Sequence, residues 1–265
     1  MTDFTDVPPI GLGTWNMTDD EVCARTVAAA LNCGYRHVDT AQLYGTERAV
    51  GEGIHRADIS EDEVLVATKV DPERLGSDDL IESVRESRER LGVERIDCLY
   101  VHWPRAAYDP DETIAALDAL VAQGLVEGIG LSNFTPELLD EVRDRTGRIV
   151  AHQIECHPLC RQEELRAYAR RHDHRLVAYS PLARGNVFGV SVLEEVAAEH
   201  DATAAQVSLA WLIERDIVPI PKATGKHVRE NYLAQSLSLS PAEIERIEGI
   251  ERESRLVDPP SAPWN

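Results

Sequence analysis

The stretch CLYVHWPRAAYDPDETIAALDALVAQGLVEGIGLS, residues 98–132, holds a short apolar run, a long amphipathic segment and a second short apolar run. A short apolar run is typical of a strand buried on both faces, whereas the amphipathic segment is typical of a helix lying on a sheet. Two parallel neighbouring strands need such a crossover between them. This stretch therefore predicts a strand, helix, strand unit of a parallel sheet.

The same alternation continues along the whole 265-residue chain, without a Ser/Gly-rich linker or a low-complexity segment. The pattern predicts eight strands, at residues 9–13, 35–40, 64–69, 98–102, 128–132, 151–155, 176–179 and 217–220. Eight strands alternating with helices in a chain of this length predict a single (β/α)8 TIM barrel with short N-terminal and C-terminal extensions. Residues 1–265 are expected to form one domain.

A doubly wound Rossmann sheet is the competing architecture, and its glycine-rich turn between strand and helix is missing. The run Gly11-Leu12-Gly13 continues into a threonine and a tryptophan instead of a third glycine. Gly128 and Gly130 lie inside a predicted strand. Neither pair lies at a strand-to-helix turn, where a dinucleotide-binding fingerprint would have to be. The sequence therefore favours the barrel.

Capping residues predict several helix starts. A Ser or Thr followed three residues later by Glu or Gln is a capping box. A proline fits the first turn of a helix, because the N–H groups of that turn have no acceptor within the helix and the missing N–H of proline costs no hydrogen bond. Between Gln206 and Ile213 the apolar residues leave one polar face, which predicts a helix lying on the barrel. The capping signals are Thr18 with Glu21, Thr203 with Gln206, Ser240 with Glu243, and Thr135 before Pro136.

The charge balance is strongly acidic, with 47 Asp and Glu against 27 Lys and Arg and a formal net charge of -20. Lysine occurs only as Lys69, Lys222 and Lys226. An acidic, lysine-poor surface stays hydrated where salt screens its self-repulsion, which indicates a halophilic protein from a salty cytoplasm. The same charge argues against binding to nucleic acid, and it indicates that the remaining lysines serve a purpose.

Cysteine usage and hydropathy indicate a cytoplasmic protein. The five cysteines are an odd number without a C-x-x-C pair, which is typical of a reducing compartment. No run of about 18 apolar residues could span a bilayer, and residues 1–9 are polar and acidic, so we expect no contact with a membrane. His152, Cys156, His157 and Cys160 fit no common zinc spacing, so no metal is expected.

Polar and aromatic residues collect at the carboxyl ends of the predicted strands, where TIM barrels carry their active sites. Packing alone does not place such residues at one strand end after another, so we expect the functional site there. In chain order they are Trp15, Asp39, Tyr44, Lys69, His102, Trp103, Ser132, Asn133, Gln153, Glu155, Tyr179, Ser180 and Lys222.

Four of these residues together can protonate a carbonyl oxygen. A tyrosine hydroxyl has an unperturbed pKa of about 10 and donates its proton poorly unless a neighbouring cation stabilises the phenolate. Lys69 can supply that cation to Tyr44. Asp39 can keep the lysine charged, and His102 can hydrogen-bond the carbonyl oxygen. The set contains an acid and an oxygen clamp without a nucleophile or a metal, as hydride addition to a carbonyl requires.

Each of these residues alone has a structural alternative. Asp39 can be a helix cap, Tyr44 a half-buried packing residue, and His102 a core histidine. The functional prediction therefore depends on their joint placement at neighbouring strand ends.

An ordered set of motifs covers nearly the whole chain. The motifs are YRHVDTAQLYG at 35–45, ATK at 67–69, LGVERIDCLYVHWP at 91–104, GIGLSNF at 128–134, QIECHP at 153–158, AYSPL at 178–182 and IPKATGKHVREN at 220–231. Together they resemble the aldo-keto reductase family and, within it, the bacterial branch of 2,5-diketogluconate and methylglyoxal reductases.

The resemblance implies an oxidoreductase that transfers a hydride from NADPH, with NADH also possible, to an aldehyde or ketone. It implies a catalytic tetrad of Asp39, Lys69, His102 and Tyr44, with the tyrosine as general acid. It implies substrate contacts from Trp15, Tyr44, His102 and Trp103. The implied partner is a small carbonyl compound, and the implied oligomeric state is a monomer.

The resemblance also implies how the cofactor is held. The carboxamide would contact Ser132, Asn133 and Gln153, the nicotinamide ring would stack on Tyr179, and Lys222 would face the 2′-phosphate. The full implied set of cofactor contacts is Ser132, Asn133, Gln153, Tyr179, Ser180, Leu182, Lys222, Thr224, Lys226, His227, Glu230 and Asn231.

Three departures from the family pattern bear on these expectations. His227 stands where many relatives have arginine, in a segment that is one residue shorter, and this weakens the preference for NADP because histidine lacks the bidentate guanidinium fork. The stretch before Pro9 is too short for the hairpin that often closes the barrel bottom. The tail at 255–265 is also short, which predicts an open and permissive substrate pocket.

Two other functions remain as alternatives. A nucleotide-binding barrel that acts as a regulatory or structural subunit would not need the complete tetrad. A metal-dependent barrel hydrolase would need clustered ligands at the strand ends, and only the Cys and His group near Cys156 resembles such a cluster.

Overall fold

The computed structural model describes residues 7–265, and in this part of the chain eight parallel strands lie side by side in chain order. Each strand pairs with the next one along the chain, as the strand, helix, strand pattern predicts. The strands are β1 Leu12–Gly13, β2 His37–Asp39, β3 Leu65–Val70, β4 Ile96–Val101, β5 Val126–Ser132, β6 Ile149–Glu155, β7 Arg175–Tyr179 and β8 Ile217–Pro219.

Backbone hydrogen bonds between β1 and the segment of β8 close the sheet into a barrel. Gly11 N donates to Pro219 O at 2.9 Å, and Gly13 N donates to Pro221 O at 3.2 Å. A Cβ atom at Gly13 would lie 2.5 Å from Ile220 O, so only glycine allows the two strands this approach. The predicted (β/α)8 TIM barrel is confirmed.

Helices cover the outside of the barrel between successive strands. Within residues 7–265 they are α1 Asp20–Cys33, α2 Glu47–His55, α3 Ser77–Leu91, α4 Pro110–Ala122, α5 Pro136–Arg143, α6 Glu163–His172, α7 Ser191–Glu199, α8 Ala204–Ile213, α9 Lys226–Tyr232 and α10 Pro241–Glu248. No helix in this range is long and apolar enough to cross a membrane.

All eight predicted strands are confirmed, with shifted ends. β1 and β2 are shorter than predicted, whereas β4, β5 and β6 each begin two residues earlier. The early starts follow from pairing, since Ile96 at the start of β4 lies opposite Val126 at the start of β5. Residues just before the predicted apolar run become part of the strand when the neighbouring strand provides hydrogen-bond partners for their backbone.

Three of the four predicted helix starts are confirmed. Thr203 and Ser240 form complete capping boxes, and the Thr135 side chain accepts a hydrogen bond from Leu138 N. The prediction at Thr18 is wrong, because Asp19 caps α1 by accepting from Val22 N at 2.9 Å. A carboxylate at this position also interacts favourably with the positive end of the helix dipole.

The expectation of a polar outer face on α8 is also wrong. Eight of its residues, from Ala204 to Leu212 except Gln206, are buried. Helices α7 and α9 and strand β8 contact α8, and Gln206 Nε2 donates to Glu230 O. α8 is therefore buried among its neighbours on more than one face.

The interior of the barrel is filled by buried side chains and positions the site at its carboxyl end. This core consists of Leu65, Ala67, Cys98, Tyr100, Ala151, Val177, Val218 and Ile220. Two larger apolar clusters lie between the sheet and the helices. The N-terminal stretch in which we expect no closing hairpin lies mostly outside the described residues.

Candidate active site

A cavity of about 600 Å³ opens at the carboxyl ends of the barrel strands. Its walls bring together residues from loops that are distant in the sequence, as the strand-end pattern predicts. The predicted site residues that line it are Trp15, Asp39, Tyr44, His102, Trp103, Ser132, Asn133, Gln153, Tyr179, Ser180, Leu182 and Lys222.

A buried ion pair lies beneath the floor of this cavity. Lys69 at β3 is 1% exposed, and its Nζ lies 2.5 Å from Asp39 Oδ1 at the end of β2. The lysine also donates to Thr40 O at 2.8 Å. Burial opposes the charge, but Asp39 and the Tyr44 hydroxyl outweigh it and raise the pKa of Lys69, so the ammonium group stays charged.

The second oxygen of the Asp39 carboxylate is also occupied. Gln153 Nε2, from β6, donates to Asp39 Oδ2 at 2.7 Å. A buried carboxylate accepts hydrogen bonds only, and here both oxygens have a donor. Gln153, which the resemblance assigns to the cofactor, therefore also fixes the carboxylate beneath the cavity.

Tyr44 lies above this ion pair, at the end of a short 3-10 turn, Gln42–Tyr44. Gln42 anchors the turn, because its amide nitrogen donates to Ser83 and Ser87 on α3 and its oxygen accepts from Asp71 N. Lys69 Nζ lies 5.0 Å from the centre of the Tyr44 ring.

Burial is the largest influence on the Tyr44 hydroxyl. It raises the pKa of Tyr44 above its ordinary value, whereas the Lys69 ammonium acts in the opposite direction. The sequence-based expectation included the cation and missed the larger effect of burial. The hydroxyl is consequently protonated at neutral pH, as a proton donor must be.

His102 faces Tyr44 from the end of β4. Their ring centres are 5.8 Å apart at an interplanar angle of 80°. Burial, followed by the charges of Lys69 and Arg105, holds the pKa of His102 well below its usual range, so the imidazole is neutral. Its Nδ1 has no hydrogen-bond partner within residues 7–265.

Asn133 connects the loops after β4, β5 and β7. Its amide nitrogen donates to His102 O and to Ser132 Oγ, both at 3.0 Å, and its oxygen accepts from the Tyr179 hydroxyl at 2.7 Å. The backbone φ of Asn133 is 65°, in the left-handed region that asparagine tolerates better than most residues. The strand-end pattern predicts that these residues meet, but it does not predict the hydrogen bond from Tyr179 to Asn133.

The remaining predicted cofactor residues lie away from the lining of this cavity. On α9, Lys226 Nζ lies 3.2 Å from Glu230 Oε1, and His227 Nδ1 lies 2.7 Å from Glu230 Oε2. Thr224 is exposed just before α9, and Asn231 is 5% exposed on it. Glu230 therefore already holds two basic side chains that the resemblance assigns to the cofactor.

The cavity lining also includes residues that the sequence patterns did not indicate, among them Leu43, Arg184 and Val257. The guanidinium carbon of Arg184 lies 4.9 Å from the centre of the Trp15 ring at the cavity mouth, and Leu43 is exposed beside it. Arg184 lies two residues after the end of the AYSPL motif, so its position gave a usable signal. Val257 comes from the C-terminal segment, where no pattern pointed to the cavity.

The group of His and Cys residues near Cys156 is divided between two environments. The His152 ring packs 6.1 Å from the His174 ring, whereas His157 Nε2 lies 3.0 Å from Glu155 Oε1. Among residues 7–265, no group of three or more His, Cys, Asp or Glu side chains could hold a metal ion.

Comparison with known proteins identifies this arrangement. Residues 9–252 match the sequence model described as "Aldo/keto reductase family". The chain belongs to the aldo/keto reductase family. Aldo/keto reductases are NAD(P)H-dependent oxidoreductases that reduce carbonyl compounds, and the family membership predicted from the motifs is confirmed.

Individual aldo/keto reductases resemble the chain over nearly its full length. A 9,11-endoperoxide prostaglandin H2 reductase of Trypanosoma cruzi is 37% identical, with 94% of this chain and 90% of the relative covered. The methylglyoxal reductase DkgB of Salmonella typhimurium is 36% identical, with 96% of each chain covered. A crystal structure of a putative 2,5-diketo-D-gluconic acid reductase B has a TM-score of 0.94 at 34% identity, covering 97% of this chain and 93% of that one.

Proposed function

We propose that this aldo/keto reductase reduces small aldehydes and ketones with NADPH, and that the Tyr44 hydroxyl is the proton donor. The observation that carries the proposal is the position of Tyr44, a protonated tyrosine that lines the cavity directly above the buried Lys69 and Asp39 pair. A donor of this kind works best where its conjugate base is stabilised by a fixed charge.

The cavity walls fit the nicotinamide end of a dinucleotide. Tyr179 offers an aromatic surface, and Ser132 and Asn133 offer a hydroxyl and an amide beside it. Gln153 uses its nitrogen for Asp39, which leaves its oxygen for a carboxamide N–H. Ser180, Leu182 and Lys222 extend this wall toward the mouth, and the bound dinucleotide would supply the hydride.

The protein groups then handle the charge that develops on the carbonyl oxygen. The Tyr44 O–H donates its proton to that oxygen, and the resulting phenolate is stabilised by the Lys69 ammonium. The neutral His102 imidazole can donate one N–H to the same oxygen and orient it. Asp39 keeps the lysine charged.

The substrate would lie between two indole rings. Trp15 is 48% exposed on one side of the mouth, and Trp103 is 8% exposed on the other. These surfaces select flat or small apolar groups without many directional contacts, so we propose a broad range of aldehydes and ketones. Dicarbonyl compounds such as those in the names of the bacterial relatives belong to this range.

A cofactor preference for NADPH follows from the basic residues around Lys222. Lys222 lines the cavity without an acidic partner in the described residues, and it is the residue that we place at the 2′-phosphate. Lys226 and His227 are paired with Glu230 and would have to exchange partners to assist. Glu230 and Asn231 are proposed to lie near the adenine, beside Thr224. The preference over NADH should therefore be modest.

Steady-state assays test the proposal directly. Oxidation of NADPH and of NADH would be followed at high salt against a panel of aldehydes, keto acids and keto sugars. We expect turnover with several carbonyl compounds and a higher kcat/KM with NADPH. A protein that binds the dinucleotide but reduces none of them would instead be the regulatory or structural barrel.

A further inference from the structure

A buried carboxylate at the end of β6 takes no part in the proposed chemistry. Glu155 is 1% exposed. Its Oε1 accepts from Leu256 N at 2.7 Å and its Oε2 from Val257 N at 2.8 Å. Its partners are therefore the backbone of a segment about a hundred residues further along the chain.

His157 completes the hydrogen bonding of this carboxylate. Leu159 N donates to His157 Nδ1 at 3.2 Å, so Nδ1 is an acceptor and the proton lies on Nε2. Nε2 then donates to Glu155 Oε1 at 3.0 Å. Burial raises the pKa of Glu155, but these three hydrogen bonds outweigh it and lower the pKa, so the group is ionised.

The segment that Glu155 holds separates two cavities. On one side Val257 lines the catalytic cavity. On the other side Ser254 and Arg255 line a second cavity of about 790 Å³, which extends to Trp264. Asn133 lines both, so the two spaces are neighbours divided by this short piece of chain.

The residues on either side of Val257 have other contacts. Ser254 N donates to Leu159 O at 2.7 Å, Arg255 donates to Gln162 Oε1 at 3.3 Å, and the Leu256 side chain packs against an apolar cluster. At the backbone N–H groups of residues 256 and 257, Glu155 provides charge-assisted hydrogen bonds, which are about twice as strong as neutral ones. Without them the stretch around Leu256 and Val257 could move into the second cavity.

We propose that Glu155 is a positioning residue for substrate selection: by holding residues 256 and 257 as a partition, it excludes carbonyl compounds with bulky substituents from the catalytic cavity. This inference rests on the proposed carbonyl reduction. Loss of the partition joins the two cavities, so a large substituent gains room while the reacting groups stay in place.

Glu155→Gln is the decisive variant, because it keeps the size of the side chain and turns one acceptor oxygen into a donor that faces an N–H group. Glu253→Gln makes the same change in the same segment, where the exposed carboxylate has one ion pair among residues 7–265, with Arg161, and Glu155 is untouched. Hydrogen exchange of the Leu256 and Val257 amides reports the partition. Propanal and 3-phenylpropanal share one reacting group and report the selection.

In Glu155→Gln we expect both amides to exchange about tenfold faster, since one charge-assisted hydrogen bond is lost. The ratio of kcat/KM for 3-phenylpropanal over propanal should rise by about the same factor, mainly through KM. The kcat for propanal and the Kd for NADPH should stay within about twofold, because the tetrad is unchanged. Glu253→Gln should match the wild type in every measurement.

Several results would overturn the proposal. Unchanged amide exchange would show that Glu155 does not hold residues 256 and 257 in place. Faster exchange with an unchanged ratio of kcat/KM would show that the partition does not select substrates. An equal loss of activity with both aldehydes would mean a purely structural role. If Glu155→Gln does not fold, Val257→Pro deletes one donor and must shift the ratio in the same direction. A wild type that reduces neither aldehyde overturns the proposed function and the selection together, whereas amide exchange still decides the partition.

Discussion

At the scale of single residues, the charge on Lys69 governs the proposed acidity of Tyr44. Lys69→Met removes the cation while keeping the length of the side chain, so the phenolate loses its stabilisation. We expect turnover to fall by at least about 100-fold and the alkaline limb of the pH profile to move to higher pH, because the pKa of Tyr44 rises further.

Asp39→Asn provides the graded comparison for this prediction. Lys69 keeps its contact with Thr40 O but loses the carboxylate that raises its pKa, so its charge is retained only in part. We expect a smaller loss of turnover than in Lys69→Met. Unchanged pH profiles in both variants would contradict the assignment of Lys69 as the cation.

A second prediction at this scale concerns the 2′-phosphate. A charge-assisted hydrogen bond to phosphate contributes about 1.5–3 kcal/mol when sheltered and less when exposed and screened by salt. Lys222 is exposed, so Lys222→Ala should reduce the preference for NADPH by about tenfold or less. His227→Arg should widen it, because arginine can bind phosphate with two N–H groups.

The ratio of kcat/KM for NADPH and NADH in the wild type and these two variants checks this prediction. Lys226→Ala is the matched control, because Lys226 is held by Glu230 outside the catalytic cavity and should change the ratio less than Lys222→Ala. A wild type that favours NADH, with a ratio indifferent to Lys222, would refute the phosphate site.

At the scale of elements, two histidines that must stay neutral, His152 and His174, lie among β6, β7, α5 and α6. Neither ring nitrogen of His152 has a hydrogen-bond partner within residues 7–265. Burial and then His174 lower the pKa of His152 to about 3, and burial and then Arg143 lower that of His174 to about 4. An unfolded histidine titrates at about 6.5. Below that pH the unfolded chain binds protons that the folded protein excludes, so folding stability falls as pH decreases.

His152→Leu should remove part of this acid sensitivity. Between pH 7.5 and pH 5 the free energy of unfolding should fall by about 2 kcal/mol less in the variant than in the wild type, from the linkage of one histidine. Denaturant unfolding at the two pH values measures it. His55→Leu is the control, because His55 is exposed on α2, and a parallel loss of stability in His152→Leu and wild type would contradict the prediction.

The element scale also explains what the sequence could predict. Eight strands were recognisable because each is an apolar run between amphipathic segments, and the residues at their ends follow from parallel topology. The C-terminal segment gave no such signal. Glu155 binds its backbone rather than its side chains, and the partners are about a hundred residues apart in the chain. Backbone contacts of this kind leave no pattern of residue types to read.

Partner choice within the cavity was equally hard to predict. The motifs predict that Gln153 and Tyr179 lie at the site. They do not predict the hydrogen-bond partners, because a side-chain amide or hydroxyl can bond to any of several neighbours. Only the folded structure shows that Gln153 donates a hydrogen bond to Asp39 and that Tyr179 donates one to Asn133. The Thr18 capping box failed for a related reason, because Asp19 next to it offered the stronger acceptor.

At the scale of the whole molecule, the negative charge is a surface property. Within residues 7–265 the buried acidic residues are Asp39, Glu47, Asp97, Glu155 and Glu243, and the others are at least partly exposed. With a net charge of -20, the acidic side chains on this surface repel one another most strongly in dilute buffer. The Debye length is long there, so salt does not screen neighbouring charges from one another. We propose that the chain is salt-adapted, a monomer and a single domain.

Salt should therefore stabilise the protein. We expect the Tm to rise and the native circular dichroism signal to persist as NaCl increases from about 0.01 M toward about 1 M, where the Debye length falls from about 30 Å to about 3 Å. Sucrose at matched osmolality is the control, because it does not screen charge. Equal stability in dilute buffer and at high salt would limit the role of the acidic surface to solubility.

The central claim, that Tyr44 donates the proton, is tested most directly by Tyr44→Phe, which keeps the ring and removes only the hydroxyl. Turnover and fluorescence titration with NADPH would be measured side by side on the same preparation at high salt. Reduction should fall by about 100-fold to 10,000-fold, the usual contribution of a general acid, while the Kd for NADPH stays close to that of the wild type. Turnover within a few-fold of the wild type would contradict the claim.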